Sequence, residues 1–111
     1  MTPILTKVSI YLNEGDEWHG RPLHLEVLRV LHDRGIAGGT VLHAVAGFTA
    51  KGAVETTTLV DAGGKLPLVI DFIDSAERVA AVLPEVKKMI HGRLIVRHDV
   101  VMEANGTNVG A

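Results

Sequence analysis

Between Ile4 and Met102 the apolar residues change period four times, and this order restricts the fold more than any single motif. In the stretch from Ile4 to Asn13, Ile4, Val8, Ile10 and Leu12 alternate with Leu5, Lys7, Ser9 and Tyr11, with Thr6 in the first set. That predicts a strand with one mainly apolar and one mixed face, as in a sheet covered by helices on one side. After Pro22, Leu23, Val27, Val30 and Leu31 recur at helical spacing, and Gly35 predicts the helix stop. Gly38 and Gly39 turn the chain into a second strand, roughly Thr40 to Phe48. An apolar-poor excursion runs from Thr49 to Lys65, with a short edge strand in TTTLV and a turn from Asp61 to Lys65. LPLVIDFID predicts a third strand, and Ser75 a helix start. Ala76, Val79, Ala80, Leu83, Val86 and Ile90 make a second helical stripe, in which Pro84 predicts a kink or restart. Gly92 stops that helix, and RLIVRHDVVM is the last strand. The order β-α-β-β-α-β predicts an α+β, ferredoxin-like sandwich with both helices on one face of an antiparallel sheet. It spans residues 1–103, with 104–111 a flexible tail. Leu5, Tyr11, Leu68, Ile70 and Phe72 are expected to place apolar surface on the uncovered face, which argues for an oligomer.

Composition removes several functions. The 111 residues are enough for one domain, and 47% hydrophobic with 22% charged residues is an ordinary globular balance. Eleven basic against thirteen acidic residues give a net charge of −2, which offers no bulk attraction to nucleic acid or anionic lipid. One Trp, one Tyr and two Phe, without an RNA-binding signature, are too few for a base-stacking sheet. The absence of cysteine removes disulfides, thiolate metal sites and cysteine nucleophiles and fits a cytoplasmic location. No apolar run approaches the ~20 residues of a spanning helix, and MTPILTKVSI lacks a basic leader, so no direct membrane insertion is expected.

No catalytic constellation stands out, and the chain is expected not to be an enzyme. Ser9 and Ser75, the two serines, lie outside any nucleophile elbow. Glu14, Asp16 and Glu17 read as a solvated cluster in a polar loop. His19, His24, His32, His43, His91 and His98 show no zinc-type spacing. The run GIAGGT, Gly35 to Thr40, follows a helix, whereas a dinucleotide fingerprint follows a strand and opens a helix. Trp18 is expected to cover a core edge or subunit boundary. Lys87, Lys88, His91 and Arg93 surround the turn before the last strand. They read either as the usual cations at a helix C-terminus or as an anion site, which Lys51 from the excursion could join.

GIAGGTVLHAVAGFTAKG, Gly35 to Gly52, resembles the second-strand region of PII-type signalling proteins. Together with WHGRPL, LPLVIDFID and the helix ending before HGRLIV, in that order, it resembles the PII-like family catalogued as domain of unknown function 190. The resemblance covers nearly the whole chain. It implies a homotrimer of ferredoxin-like subunits with ligand clefts between neighbours. In classical relatives the long loop between strands two and three contacts target proteins, and adenine nucleotides bind at its base. Thr40 matches the cleft threonine, Gly47 and Phe48 match the glycine-phenylalanine at the loop base, and Gly92 and Arg93 align with the phosphate-contacting loop, with arginine for lysine. Thr49 stands where the classical motif has glycine, VVMEANG lacks the paired arginines of classical members, and no tyrosine marks the excursion.

The expected function is therefore a PII-like regulatory protein with no required cofactor and a small anionic effector, such as a nucleotide. The effector would reorder the excursion from Thr49 to Lys65 and change contact with a protein target, a membrane transporter or an enzyme. Thr40, Gly47 and Phe48 would shape the cleft; Lys51, Lys88, His91, Gly92 and Arg93 would meet the charge. The alternative is a divalent-metal-binding trimer of the same fold, with histidine ligands.

Overall fold

The computed structural model describes residues 3–49, 52–56 and 65–104. In chain order the elements are β1 (Ile4–Asn13), the two-residue strands β2 (Glu17–Trp18) and β3 (Arg21–Pro22), α1 (Leu23–Asp33), β4 (Gly38–His43), β5 (Ala46–Gly47), β6 (Glu55–Thr56), β7 (Pro67–Asp74), α2 (Ala76–Met89) and β8 (Ile95–Val101). The main sheet has the order β4-β7-β1-β8 and is antiparallel throughout. With α1 and α2 on one face this is the ferredoxin-like arrangement that the pattern of periods predicts. Lys51, most of the excursion and residues 105–111 of the expected tail lie outside the described residues. No helix among the described residues is long and apolar enough to cross a membrane.

Register decides which side chains meet the helices. Val8 pairs with Phe72, Ile10 with Ile70 and Leu12 with Leu68, so these six share a face. All are at most 1% exposed, and they pack against Leu23, Val27 and Leu31 of α1 and Val79, Val82, Val86 and Met89 of α2. Each such side chain contributes about 1.5–3 kcal/mol through burial. Leu68, Ile70 and Phe72 therefore belong to the core, not to the uncovered face expected from the sequence. In LPLVIDFID both parities are largely apolar and each carries one aspartate, Asp71 or Asp74, so the pattern does not say which points inward, and the pairing with β1 settles it.

The uncovered face is mixed. Ser9 Oγ donates to Asp71 Oδ1 at 2.6 Å, and Lys7 Nζ stands 3.7 Å from Asp71 Oδ2. Tyr11, Leu42, Leu94 and Val96 are exposed around this polar centre.

The helix ends follow local chemistry. Gly35, at φ +75°, lets the amides of Gly35 and Ile36 return to the carbonyls of His32 and Leu31, the double bond of a Schellman stop. Ser75 Oγ accepts from the Arg78 N–H at 3.3 Å and caps α2. Two expectations are corrected there. α2 does not restart at Pro84 but runs on through it as one helix, with Pro84 on the exposed side beside Ala80 and Ala81, while Val82 and Val86 stay anchored in the core. Packing outweighs one lost backbone bond. The buried stripe is also rotated from the expected one, because Ala76 and Ala80 are exposed and Val82 and Met89 are buried.

Asp74 is fully buried and has its charge satisfied locally. Its oxygens accept from the N–H groups of Ser75 and Ala37 at 2.7 and 3.0 Å, and Arg78 Nε lies at 3.5 Å. It thereby ties the end of β7 to the turn entering β4.

Candidate functional site

The chain leaves the sheet after His43 and rejoins it at Pro67. The expected second strand, Thr40 to Phe48, is broken at Ala44 and Val45, and the chain resumes as a small ribbon of β5 on β6, with Gly47 opposite Glu55. Gly47 adopts φ +155° and sits so close to Pro67 that a Cβ would come within 3.3 Å of its ring. A side chain there would be strained by that φ and would need the Pro67 ring to give by a few tenths of an ångström.

Two acidic residues expected to be solvated do structural work at this place. Glu14 Oε1 accepts from the Leu66 N–H at 2.8 Å, and Glu14 Oε2 lies 2.8 Å from His43 Nε2. One carboxylate thus joins both ends of the excursion. The Leu66 amide first, and His43 next, hold the Glu14 carboxyl below the usual carboxylate range. Asp16 is held by its own turn, with Oδ2 accepting from the Asn13 N–H at 3.0 Å and its carbonyl accepting from Leu23 at 2.9 Å. Its Oδ1 takes a 2.6 Å bond from Arg93 Nη2, while Arg93 Nη1 donates to Thr49 Oγ1 at 3.3 Å. Asn13, Phe48, Thr49, Glu55, Pro67 and Arg93 line a hollow of about 280 Å³ beside this bridge.

The structure brings some of the expected residues together and separates others. Phe48 and Arg93 share the hollow, and Gly47 backs it through its pairing with Glu55. Gly92 turns the chain into Arg93 with a left-handed φ of +69°, and His91 beside it is exposed. Thr40 lies elsewhere, on the uncovered face opposite Asp71, in a hollow of about 330 Å³ with Lys7 and Ile73. Lys88 borders a third hollow with Trp18, Met89 and Glu85 on the helix side. Trp18 packs on the core edge, as expected, and stacks on His19 with ring centroids 4.4 Å apart. His19 and Gly20 both have positive φ, the pair a tight mirror-image hairpin turn requires. Among the described residues no group of three or more His, Asp or Glu is placed to hold a metal ion.

Sequence reasoning missed the roles of Glu14, Asp16, His43 and Thr49. A usable signal was present in NEGD, where Asn13 folds over its own turn by accepting from the Gly15 N–H at 2.9 Å and so directs the following carboxylates.

Two curated relatives are UPF0166 proteins. One, from Methanocaldococcus jannaschii, is 30% identical over 91 residues, covering 80% of this chain and 83% of the relative. The other, from Aquifex aeolicus, is 31% identical over 93 residues, covering 84% and 88%. Among solved structures, CPII from Thiomonas intermedia bound to ADP and bicarbonate superposes with a TM-score of 0.68 at 19% identity, covering 94% of this chain and 93% of that one. That likeness makes the fold PII-like. The family model of DUF190, described as Uncharacterized ACR, matches residues 5–102, and the chain belongs to that family.

Proposed function

We propose that this chain is a non-enzymatic, PII-like regulatory subunit of the cytoplasm that binds an anionic effector, an adenine nucleotide, at the base of the 49–65 excursion. The observation that carries the proposal is Arg93, a single guanidinium that lines the hollow and also holds Thr49 where the excursion departs. A ligand that engages Arg93 therefore acts on the segment proposed to contact a protein target. The ADP bound to CPII supports a nucleotide as the ligand class. His91 and Gly92 precede Arg93 in the same turn and would meet the outer phosphate. Lys51 would add charge from the excursion, whereas Lys88 stands at the separate helix-side hollow.

The assembly proposed is a homotrimer. Its subunits would cover the exposed Tyr11, Leu42, Leu94 and Val96. Thr40, on that same face, would reach the cleft from the neighbouring subunit. Light scattering should return about three times the 11.9 kDa chain mass, and a clean monomer would remove the inter-subunit cleft.

Calorimetric titration with ADP, ATP and AMP tests the site. Arg93→Ala should weaken binding by about 1.5–3 kcal/mol, the range for a hydrogen bond to a charged group. Equal affinity of wild type and variant would take Arg93 out of the site, and no binding by wild type would end the nucleotide reading.

A further inference from the structure

Resting on the anion-binding reading, we infer that Asp16 is a built-in competitor for Arg93, and that it sets a charge threshold. A ligand with a single negative charge fails to displace it; one with two or more succeeds.

The geometry supplies the competitor. The carboxylate of Asp16 already occupies Arg93 Nη2 at 2.6 Å, and both side chains are mostly shielded, 22% exposed for Arg93 and 19% for Asp16. Asp16 is not free to swing, because the Asn13 N–H holds its second oxygen and the Leu23 N–H holds its carbonyl. It meets Arg93 without the ordering entropy that a dissolved anion must lose. A group tethered in this way acts at an effective concentration on the order of millimolar or above. A dissolved monocarboxylate must exceed that level to replace it, and gains only a bond of the same kind.

Charge adds to the barrier. Glu55 also lines the hollow, so two carboxylates stand around one guanidinium among the described residues. An entering monoanion meets both carboxylates beside the guanidinium it would engage. A diphosphate brings more charge and several more acceptors, which lets it displace the tethered carboxylate from Arg93. When Arg93 turns to such a ligand its bond to Thr49 is disturbed too, so passing the threshold is felt at the departure point of the excursion.

The test compares Asp16→Asn with Glu55→Gln by calorimetric titration with acetate, inorganic phosphate and ADP. The amide introduced by Asp16→Asn could disturb the turn, so Asp16→Thr, whose hydroxyl can still accept the Asn13 N–H, is run beside it. Both Asp16 variants should bind acetate at least ~10-fold more tightly than wild type, the loss of one competing charge-assisted bond, and phosphate, part dianion near neutral pH, should gain less. ADP should gain less, so its preference over acetate shrinks. Glu55→Gln removes the same charge from the same hollow, but among the described residues no hydrogen bond or ion pair joins Glu55 to Arg93. Its effect should stay under about 3-fold, as for a screened charge. Equal gains in the Asp16 and Glu55 variants would reduce the effect to general charge and overturn the competitor. Unchanged or weaker anion binding in both Asp16 variants would overturn it as well. If wild type binds no nucleotide the nucleotide reading falls, yet acetate binding gained only on losing Asp16 would still establish the competition. No anion binding in any variant would overturn both.

Discussion

The helix-covered face of the sheet and the sheet end that carries the excursion are held together by opposite means. On the face, Val8, Ile10, Leu12, Leu68, Ile70 and Phe72 lock against two helices with almost no exposure. At the end, two carboxylates and one guanidinium hold the chain through a few directed bonds, Glu14 to Leu66 and His43, and Arg93 to Asp16 and Thr49. Apolar packing is lost only when the whole fold opens, whereas a charged bond at a partly wet site can be exchanged for another of similar strength. The difference separates what keeps the subunit folded from what can respond to a ligand.

Removing the largest buried side chain breaks the first half of this comparison. Phe72→Ala should lower global stability by about 3–5 kcal/mol, read from urea denaturation, because both the lost transfer energy and the residual cavity count. A loss below ~1 kcal/mol would mean that the core can collapse around the gap and that the face is not the rigid half.

Cutting the joint between the two ends of the excursion should do much less globally and more locally. Glu14→Ala removes the acceptor of the Leu66 N–H and the partner of His43. The side chain is 23% exposed, and solvent screening holds the expected global loss to about 1 kcal/mol. Hydrogen exchange at the Leu66 amide should quicken at least ~10-fold while the amides of β1 and β7 facing each other stay protected. Uniform acceleration across the sheet would show that Glu14 supports the core and would erase the contrast.

How much of this was legible in the sequence follows the same division. The alternation in β1 and the helical stripes specify the layers because burial imposes a period on the residues. The Schellman stop at Gly35 and the cap at Ser75 were readable because single residue types satisfy backbone groups there. Parity in β7 was not readable, since both faces of Pro67–Asp74 carry apolar residues and only pairing chooses between them. Arg93 was readable as a cation near a turn, and the PII-like resemblance pointed to it together with Gly47 and Phe48. Its partners Asp16 and Thr49 were not readable, because they lie 77 and 44 residues away and nothing local marks a side chain for a distant bond. The charge cluster Glu14, Asp16 and Glu17 shows the limit well. Three acids look alike in sequence, yet two are bonded within the fold and Glu17 is exposed.

The smallest effect expected is also the most specific to the sheet end. The Glu14 carboxyl is held below its ordinary value of 4.5 by the Leu66 amide first and by His43 second. Its pKa is thus lower in the folded chain than in the unfolded one, and the unfolded chain binds more protons between the two values. Stability from Glu14 is therefore fully present above the ordinary carboxylate range and is lost as pH falls through the folded value. Glu14→Gln keeps the shape and removes the titration, so it isolates this contribution. Urea denaturation of both proteins from about pH 7 down to about 3 should show a constant stability gap at the neutral end. The gap should narrow once the pH drops below the ordinary carboxylate value, while the midpoint of Phe72→Ala should keep its distance from wild type throughout. If the Glu14→Gln gap stays constant to the acid limit, the carboxylate charge does not hold the excursion's two ends, and the joint rests on shape alone.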